Sequence, residues 1–159
     1  MKGDTKVLEY LNQALTNELT AINQYWLHYR VLKDWGVEKL AKKEREESID
    51  EMKHADQLAE RVLFLEGLPN FQAIHKLKVG ENVEEILKAD LALEMEAIPL
   101  LRDAVEHSEK VRDYVSRDLF AAILESEEEH VDFLETQFDM IKRMGLENYV
   151  QLNSEAAED

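Results

Sequence analysis

Two stretches of this chain carry residue types that bind metals at a spacing that makes them usable. Glu51-Met52-Lys53-His54-Ala55-Asp56-Gln57-Leu58 and Glu127-Glu128-Glu129-His130-Val131-Asp132-Phe133-Leu134 both read E-x-x-H-x-D-x-L. On a helix, residues three apart lie on one face about a turn apart, so each pair presents a carboxylate and an imidazole in the same direction. Each motif also follows, at 33 residues, a glutamate set in an apolar helical pattern: Glu18 before Glu51, and Glu94 before Glu127. A single offset of 76 therefore carries Glu18, Glu51 and His54 onto Glu94, Glu127 and His130. One E-x-x-H match would be a weak signal, but a doubled triad at one offset is hard to reach by chance. Such a set fits a two-metal site.

The charge count supports cations and argues against polyanions. Four carboxylates cannot be buried together without compensation, because desolvation and mutual repulsion would protonate or expel them. Two divalent cations balance four carboxylates and two neutral imidazoles. Oxygen and nitrogen donors without sulfur suit iron or manganese, with zinc as a competitor, and iron is favoured if the site does redox work. Over the whole chain, 35 acidic side chains against 19 basic ones give a formal charge of −16, which disfavours nucleic acid as a partner. The chain has no cysteine, which excludes disulfides, thiolate catalysis, Cys-ligated zinc or iron–sulfur centres and C-x-x-C-H haem attachment. No cationic, apolar leader opens the sequence and no apolar run approaches the length of a membrane span, so a soluble cytoplasmic protein without a membrane partner is the expectation.

Long helices have to position these residues. Only 5 Gly and 2 Pro in 159 residues are too few to punctuate a many-stranded β fold, so the chain is expected to be all-α. From about Thr5 to Lys33, Val7, Leu8, Leu11, Leu15, Leu19, Ile22, Trp26 and Tyr29 recur at steps of three and four, the mark of an amphipathic helix that Gly36 can close. A second helix spans about Val37 to Glu66, and Gly67-Leu68-Pro69 is expected to stop it, with Gly67 in the left-handed position. Residues 67 to 82 read as a long connection. Asn82 and Glu85 offer an N-cap and capping-box partner for a third helix to about Val111, with a kink or bulge expected at Pro99. Asp113 can cap a fourth helix to Met144, Gly145 ends it, and Leu146 to Leu152 can form a short fifth. Residues 1–152 then form one domain, and 153–159 an acidic tail expected to be mobile.

Short joints make helices one and two antiparallel, and likewise three and four. A helix of about 29 residues is roughly 44 Å long, and sixteen extended residues reach on the order of 54 Å. The central connection can therefore cross the full length of a four-helix bundle and leave helices two and three parallel. Glu18, Glu51, Glu94 and Glu127 each fall near the middle of a helix. All six candidate ligands then share one level, whichever way each helix runs.

The chain resembles the bacterioferritin family, and the resemblance extends well beyond the E-x-x-H pairs. It is carried by Met1-Lys2-Gly3-Asp4, by 17–25 (NELTAINQY), by 48–56 (SIDEMKHAD), by 64–70 (FLEGLPN) and by 145–149 (GLENY), and it runs from Met1 to about Leu152. The absence of cysteine separates the chain from rubrerythrins. The resemblance implies a ferritin-like fold and a ferroxidase centre of Glu18, Glu51, His54, Glu94, Glu127 and His130, with Glu51 and Glu127 bridging two iron ions. It implies oxidation of Fe²⁺ by O₂ or hydrogen peroxide and storage of ferric mineral in a shell of 24 subunits built from two-fold dimers. A small ferredoxin-like reductant for iron release is implied as well.

Four other positions read less simply. Met52 is turned about 100° from the metal face; spacing alone makes it packing, whereas the resemblance implies an axial ligand to a haem b shared between two subunits. Tyr25, two turns beyond Glu18, is either core packing or a hydrogen-bonding or electron-transfer partner of the metals. Asp50 resembles the family's inner-surface iron-binding aspartate. Glu46 and Phe133 stand where some relatives have His and Trp, which puts an inner-surface site at 46 and an aromatic electron path through 133 in question. His28, His75 and His107 have no ligand-spaced partners and read as structural or solvated. Two alternatives remain open: a di-iron or di-manganese oxidase or catalase-like bundle that stores nothing, and a metal-free interaction bundle.

Overall fold

In the computed structural model, which describes residues 1–157, the chain is five α-helices: α1 Thr5–Asp34, α2 Glu38–Phe64, α3 Val83–Lys110, α4 Tyr114–Met144 and α5 Leu146–Leu152. No strand occurs among the described residues. Asn82 and Asp113 cap their helices as expected, and Asp4 caps the first. Asp4 accepts from Val7 N, Asn82 from Glu85 N and Asp113 from Ser116 N, so each cap satisfies an amide that the helix itself leaves unpaired. α3 continues across Pro99 as one element.

The helix ends hold one correction. Gly36 and Gly145 do adopt positive φ, at 81° and 86°. After α2, however, the left-handed residue is Glu66 (φ 65°), not Gly67. Gly67 is there for room: a Cβ on it would lie 2.7 Å from Leu8 Cδ2 and 3.0 Å from Val62 Cγ1. Its amide donates to Val62 O at 2.9 Å and closes the end of the helix.

Hydrogen bonds to α1 show that the connection between α2 and α3 runs the length of the bundle. Asn12 Nδ2 donates to Leu68 O, His75 N to Thr20 Oγ1, Lys78 N to Gln24 Oε1 and Gly80 N to His28 Nε2. The segment thus climbs beside α1 in the same direction, and α3 starts where α1 ends. α2 and α3 are therefore parallel, the arrangement that the length argument allowed. At the far end, Asn153 O accepts from Lys39 N at 2.9 Å, so the last turn after α5 satisfies an orphan amide of α2. Residues 158 and 159 of the tail lie outside the described residues.

The core is layered. Val7, Leu11, Leu15, Leu58, Val62, Leu101, Phe120 and Ile123 fill one end of the bundle, while Leu32, Val37, Leu40, Val83, Ile86, Leu87, Leu134 and Tyr149 fill the other. Between these apolar plugs, with only Ala21, Tyr25 and Leu93 as a small apolar cluster, lies a buried polar slab. The plugs supply the stability that such a slab consumes.

Gly80 is the tightest point of the crossover. A Cβ there would run into the backbone N of Ile86 and sit 2.6 Å from its Cα, and backbone cannot step aside as a flexible side chain can. We expect Gly80→Ala to cost about 3 kcal/mol or more, read as a lowered thermal midpoint. A midpoint equal to that of the parent would show that the crossover is not seated as described.

Candidate metal centre

Each of the four long helices delivers a glutamate to the slab. Glu18, Glu51, Glu94 and Glu127 are all buried, as is His130, and His54 is only slightly open. The six residues fall into two groups whose donor atoms lie within 4.8 Å of one another: Glu18, Glu51, His54 and Glu127 in one, Glu94, Glu127 and His130 in the other. Glu127 belongs to both. His54 Nδ1 is 3.3 Å from Glu51 Oε2, 3.6 Å from Glu127 Oε1 and 3.7 Å from Glu18 Oε2. His130 Nδ1 is 3.1 Å from Glu94 Oε1. Ser48 Oγ, hydrogen-bonded to Ile22 O at 2.9 Å, ties α2 to α1 beside the site.

The electrostatics are those of a cage built for positive charge. Burial pushes Glu18 above the usual carboxylate range, with the nearby His54 imidazole opposing it. Burial and then the charge of Glu127 push Glu94 well above that range. Burial and then the charge of Glu18 raise Glu127. His54 resists its own burial and is pushed up to about 10 by the neighbouring carboxylates of Glu127 and Glu18. Without cations, then, the site holds protons it would not otherwise keep.

Two oxygens test whether metals fit. Glu18 Oε2 and Glu127 Oε1 are buried without a hydrogen-bond partner. An orphaned carboxylate oxygen is costly, and a divalent cation is what satisfies it with the donors present. A cavity of about 10 Å³, room for one water-sized sphere, opens between Glu18, Glu51, Glu94 and Glu127 and is bordered by Asn17 and Ala97.

With this geometry, comparison with known proteins is direct. The Ferritin-like domain model matches residues 8–144. The Bacterioferritin of Brucella melitensis is 54% identical over 159 residues, which is 100% of this chain and 99% of the relative. That of Rhodobacter capsulatus is 51% identical, covering 97% of this chain and 96% of its own length. That of Streptomyces coelicolor is 48% identical, covering 94% and 90%. The chain belongs to the bacterioferritin family.

Around these carboxylates and imidazoles of the bacterioferritin-family chain the other expected residues divide. Tyr25 is fully buried, donates its hydroxyl proton to Glu94 Oε1 and meets the His130 ring edge-on at 5.3 Å. Its ring also packs with Ala21 and Leu93, so the structure contains both the core packing and the hydrogen bond that the sequence left open. Asp50 is exposed, 3.8 Å from Lys53 Nζ, and joins neither group. Met52 is 41% exposed and looks outward from the bundle, away from the slab. Phe133 stacks against His130 at 6.3 Å, and Lys43 Nζ lies 4.6 Å from the centroid of its ring.

Sequence spacing missed a second buried polar group. His28, Glu44 and Asp90 bring donor atoms within 4.8 Å of one another, and all three are buried. Glu47, also buried, lies 3.8 Å from His130 Nδ1 and pairs with Lys43 at 2.8 Å. A usable signal was present. Glu44 and Glu47 precede Glu51 by seven and four residues, and Asp90 precedes Glu94 by four, so each continues a metal-bearing face by one or two turns.

Proposed function

We propose that this chain is a subunit of an iron-storage shell that oxidises Fe²⁺ at the Glu18, Glu51, His54, Glu94, Glu127, His130 centre and keeps the ferric product inside. The observation that carries the reading is the sharing of Glu127 by both donor groups, since one carboxylate serving two ions holds them as neighbours. Glu51 is assigned the second bridging role. Glu18 and His54 complete one coordination sphere, Glu94 and His130 the other. Two adjacent Fe²⁺ ions deliver two electrons to one oxidant: O₂ with two protons leaves as H₂O₂, or H₂O₂ with two protons leaves as two waters.

The chain's own residues do three things in that reaction. The carboxylates lose protons as Fe²⁺ binds and then stabilise the higher charge of Fe³⁺ as anions in a water-poor slab. The apolar plugs at either end limit water entry. Tyr25 anchors Glu94 through its hydroxyl and keeps that carboxylate oriented. Oligomerisation is supported by large apolar side chains left in water, among them Leu63, Phe64, Leu68, Phe71, Ile74 and Met95. Assembly into 24 subunits is the state we assign.

Met52 fits the role of haem axial ligand between two subunits. Its side chain is exposed on α2, two turns after Arg45, which sits over the exposed Trp26 ring at 5.6 Å. A symmetric contact there presents one sulfur from each side. When bound, the haem supplies a one-electron redox group at the subunit boundary. Met52→Ala is expected to lose the haem absorbance while oxidising Fe²⁺ at the parental rate; haem retained in the variant would refute the assignment.

One experiment tests the whole reading. Size exclusion with visible absorbance, followed by Fe²⁺ addition under air, should give an assembly of roughly 24 times the mass of one chain and rapid ferric absorbance that saturates at two Fe²⁺ per chain before slower mineral growth. A monomer or dimer with the same fast oxidation would point instead to a non-storing oxidase.

A further inference from the structure

The His28, Glu44, Asp90 group is not required by the fold. Applying the offset of 76 that relates the two halves of the chain takes His28 to Ala104, Glu44 to Phe120 and Asp90 to Ala14. Those three residues belong to the apolar plug at the other end of the bundle and are themselves buried. One half of the bundle therefore builds this layer from Ala, Phe and Ala, and the other from His, Glu and Asp at a considerable cost in desolvation. What the polar version gains has to lie outside packing.

Its hydrogen bonds say what it holds. Gly80 N–H donates to His28 Nε2 at 3.1 Å, so that nitrogen offers a lone pair and the ring proton is on Nδ1. Nδ1 then donates to Asp90 Oδ1 at 2.9 Å, where Gln24 Nε2 also donates at 2.9 Å. Both ring nitrogens are committed, which leaves His28 no lone pair for a metal. The second oxygens of the acids, Glu44 Oε2 and Asp90 Oδ2, are buried without a hydrogen-bond partner among the described residues. Glu44 and Asp90 nevertheless bring a donor oxygen each within 4.8 Å of the other in a dry site, where two carboxylates repel. A single proton held by the pair relieves that repulsion.

We propose that Glu44 and Asp90, aligned by His28 and Gln24, form a buried acid–carboxylate pair that holds one proton and supplies it to the oxidation of Fe²⁺ at the adjacent centre. Burial and then the Asp90 charge raise Glu44 well above the carboxylate range. Burial of Asp90 is outweighed by hydrogen bonds from Glu44, His28 and Gln24, which hold it low. The proton accordingly sits on Glu44. Asp90 lies one turn before Glu94 on α3, and Glu44 one turn before Glu47 on α2, so the pair abuts the metal slab from one side. The titratable groups facing it are Tyr25 and His28 on α1, Glu47 on α2, Glu94 on α3, His130 on α4 and Tyr149 on α5.

The balance is simple. Reduction of H₂O₂ by two Fe²⁺ breaks the O–O bond and needs two protons to release two waters. Glu44 gives one of them from its O–H and is reprotonated from solvent between turnovers, while the other comes from solvent directly. This role rests on the ferroxidase reading above, and its test keeps the two separable.

Glu44→Gln retains an N–H donor toward Asp90 at nearly the same volume, so the hydrogen bond survives and the transferable proton does not. Infrared spectra are recorded on the assembled protein with Zn²⁺ filling the centre, because Zn²⁺ strips protons from the metal-binding carboxyls and is not itself oxidised. A protonated-carboxyl C=O band should persist in the parent at neutral pH and vanish in the variant. With Fe²⁺ and H₂O₂, the variant should bind the same number of ions, oxidise them about tenfold more slowly, and lose rate more steeply as pH rises. No such band in the Zn²⁺-filled parent overturns the proposal, as does a third Zn²⁺ per chain that Asp90→Asn removes, or a variant rate and pH profile equal to the parent's. If the parent fails to oxidise Fe²⁺ while the band is present, the ferroxidase reading falls and the acid–carboxylate pair stands.

Discussion

Glu127→Gln should slow fast Fe²⁺ oxidation on the order of a hundredfold or more while leaving the metal-free protein at least as stable as its parent. Both halves of that result come from the same geometry. Glu127 is the one residue common to both donor groups, so its loss unlinks the two ions rather than weakening one of them. The same carboxylate is buried, has an unpartnered oxygen and is crowded by Glu18, whose charge raises it further. An amide of equal size removes the charge and keeps the packing. Stopped-flow absorbance reads the first half, and thermal unfolding of metal-free protein the second. Parental oxidation in this variant would remove Glu127 from the centre. A large fall in metal-free stability would show that the carboxylate is structural, not held in reserve for cations.

How far the sequence alone could go depended on whether partners share a helix or a repeat. Glu51 with His54, and Glu127 with His130, are three apart, and the offset of 76 then identifies Glu18 and Glu94 without any tertiary information. The architecture was equally legible, because helix lengths and the sixteen-residue connection admit few arrangements that meet at mid-length. The group at His28, Glu44 and Asp90 was not. Its members come from three helices and are completed by a backbone amide of the crossover, Gly80, and no local spacing encodes such a meeting. The misplaced left-handed residue after α2 has a similar origin. Gly67 looks like a C-cap by type, but tertiary contact with Leu8 and Val62 accounts for the glycine, and Glu66 takes the strained φ.

The layering explains how one small chain tolerates so much buried charge. Leu11, Leu15, Leu58 and Phe120 below the slab, and Leu32, Leu40, Ile86 and Leu87 above it, are all essentially inaccessible to water. Each such side chain contributes about 1.5–3 kcal/mol relative to exposure, so the plugs can hold helices in register around a centre that contributes nothing of its own until cations arrive. Met52 is exposed on α2, while other exposed apolar residues, Leu68, Phe71 and Ile74 among them, lie on the connection between α2 and α3. The doubled motif is thus symmetric toward the slab and asymmetric outward, since Met52 has Glu128 as its repeat mate.

The second large effect is a stability gap between metal-free and metal-filled protein that widens as pH rises. In the metal-free fold Glu18, Glu94 and Glu127 are raised above the ordinary carboxylate value of 4.5, and His54 is raised from 6.5 to about 10. A group whose folded pKa is raised binds more protons folded than unfolded, so stability falls as pH climbs through the interval between the two values. The carboxyls begin to subtract above 4.5; the His54 contribution is complete below 6.5 and is lost through about 10. Cations require the deprotonated ligands, so their affinity moves the opposite way. At a hundred times Kd each site adds about 2.7 kcal/mol. Thermal midpoints with and without Zn²⁺, taken from about pH 5.5 to about pH 8.5, should therefore diverge, the metal-free value falling and the filled value holding or rising. Glu127→Gln should flatten the metal-free profile and shrink the gap. Parallel profiles in the parent would mean that the six residues do not give up protons to bind metal, and the centre would have to be reassigned.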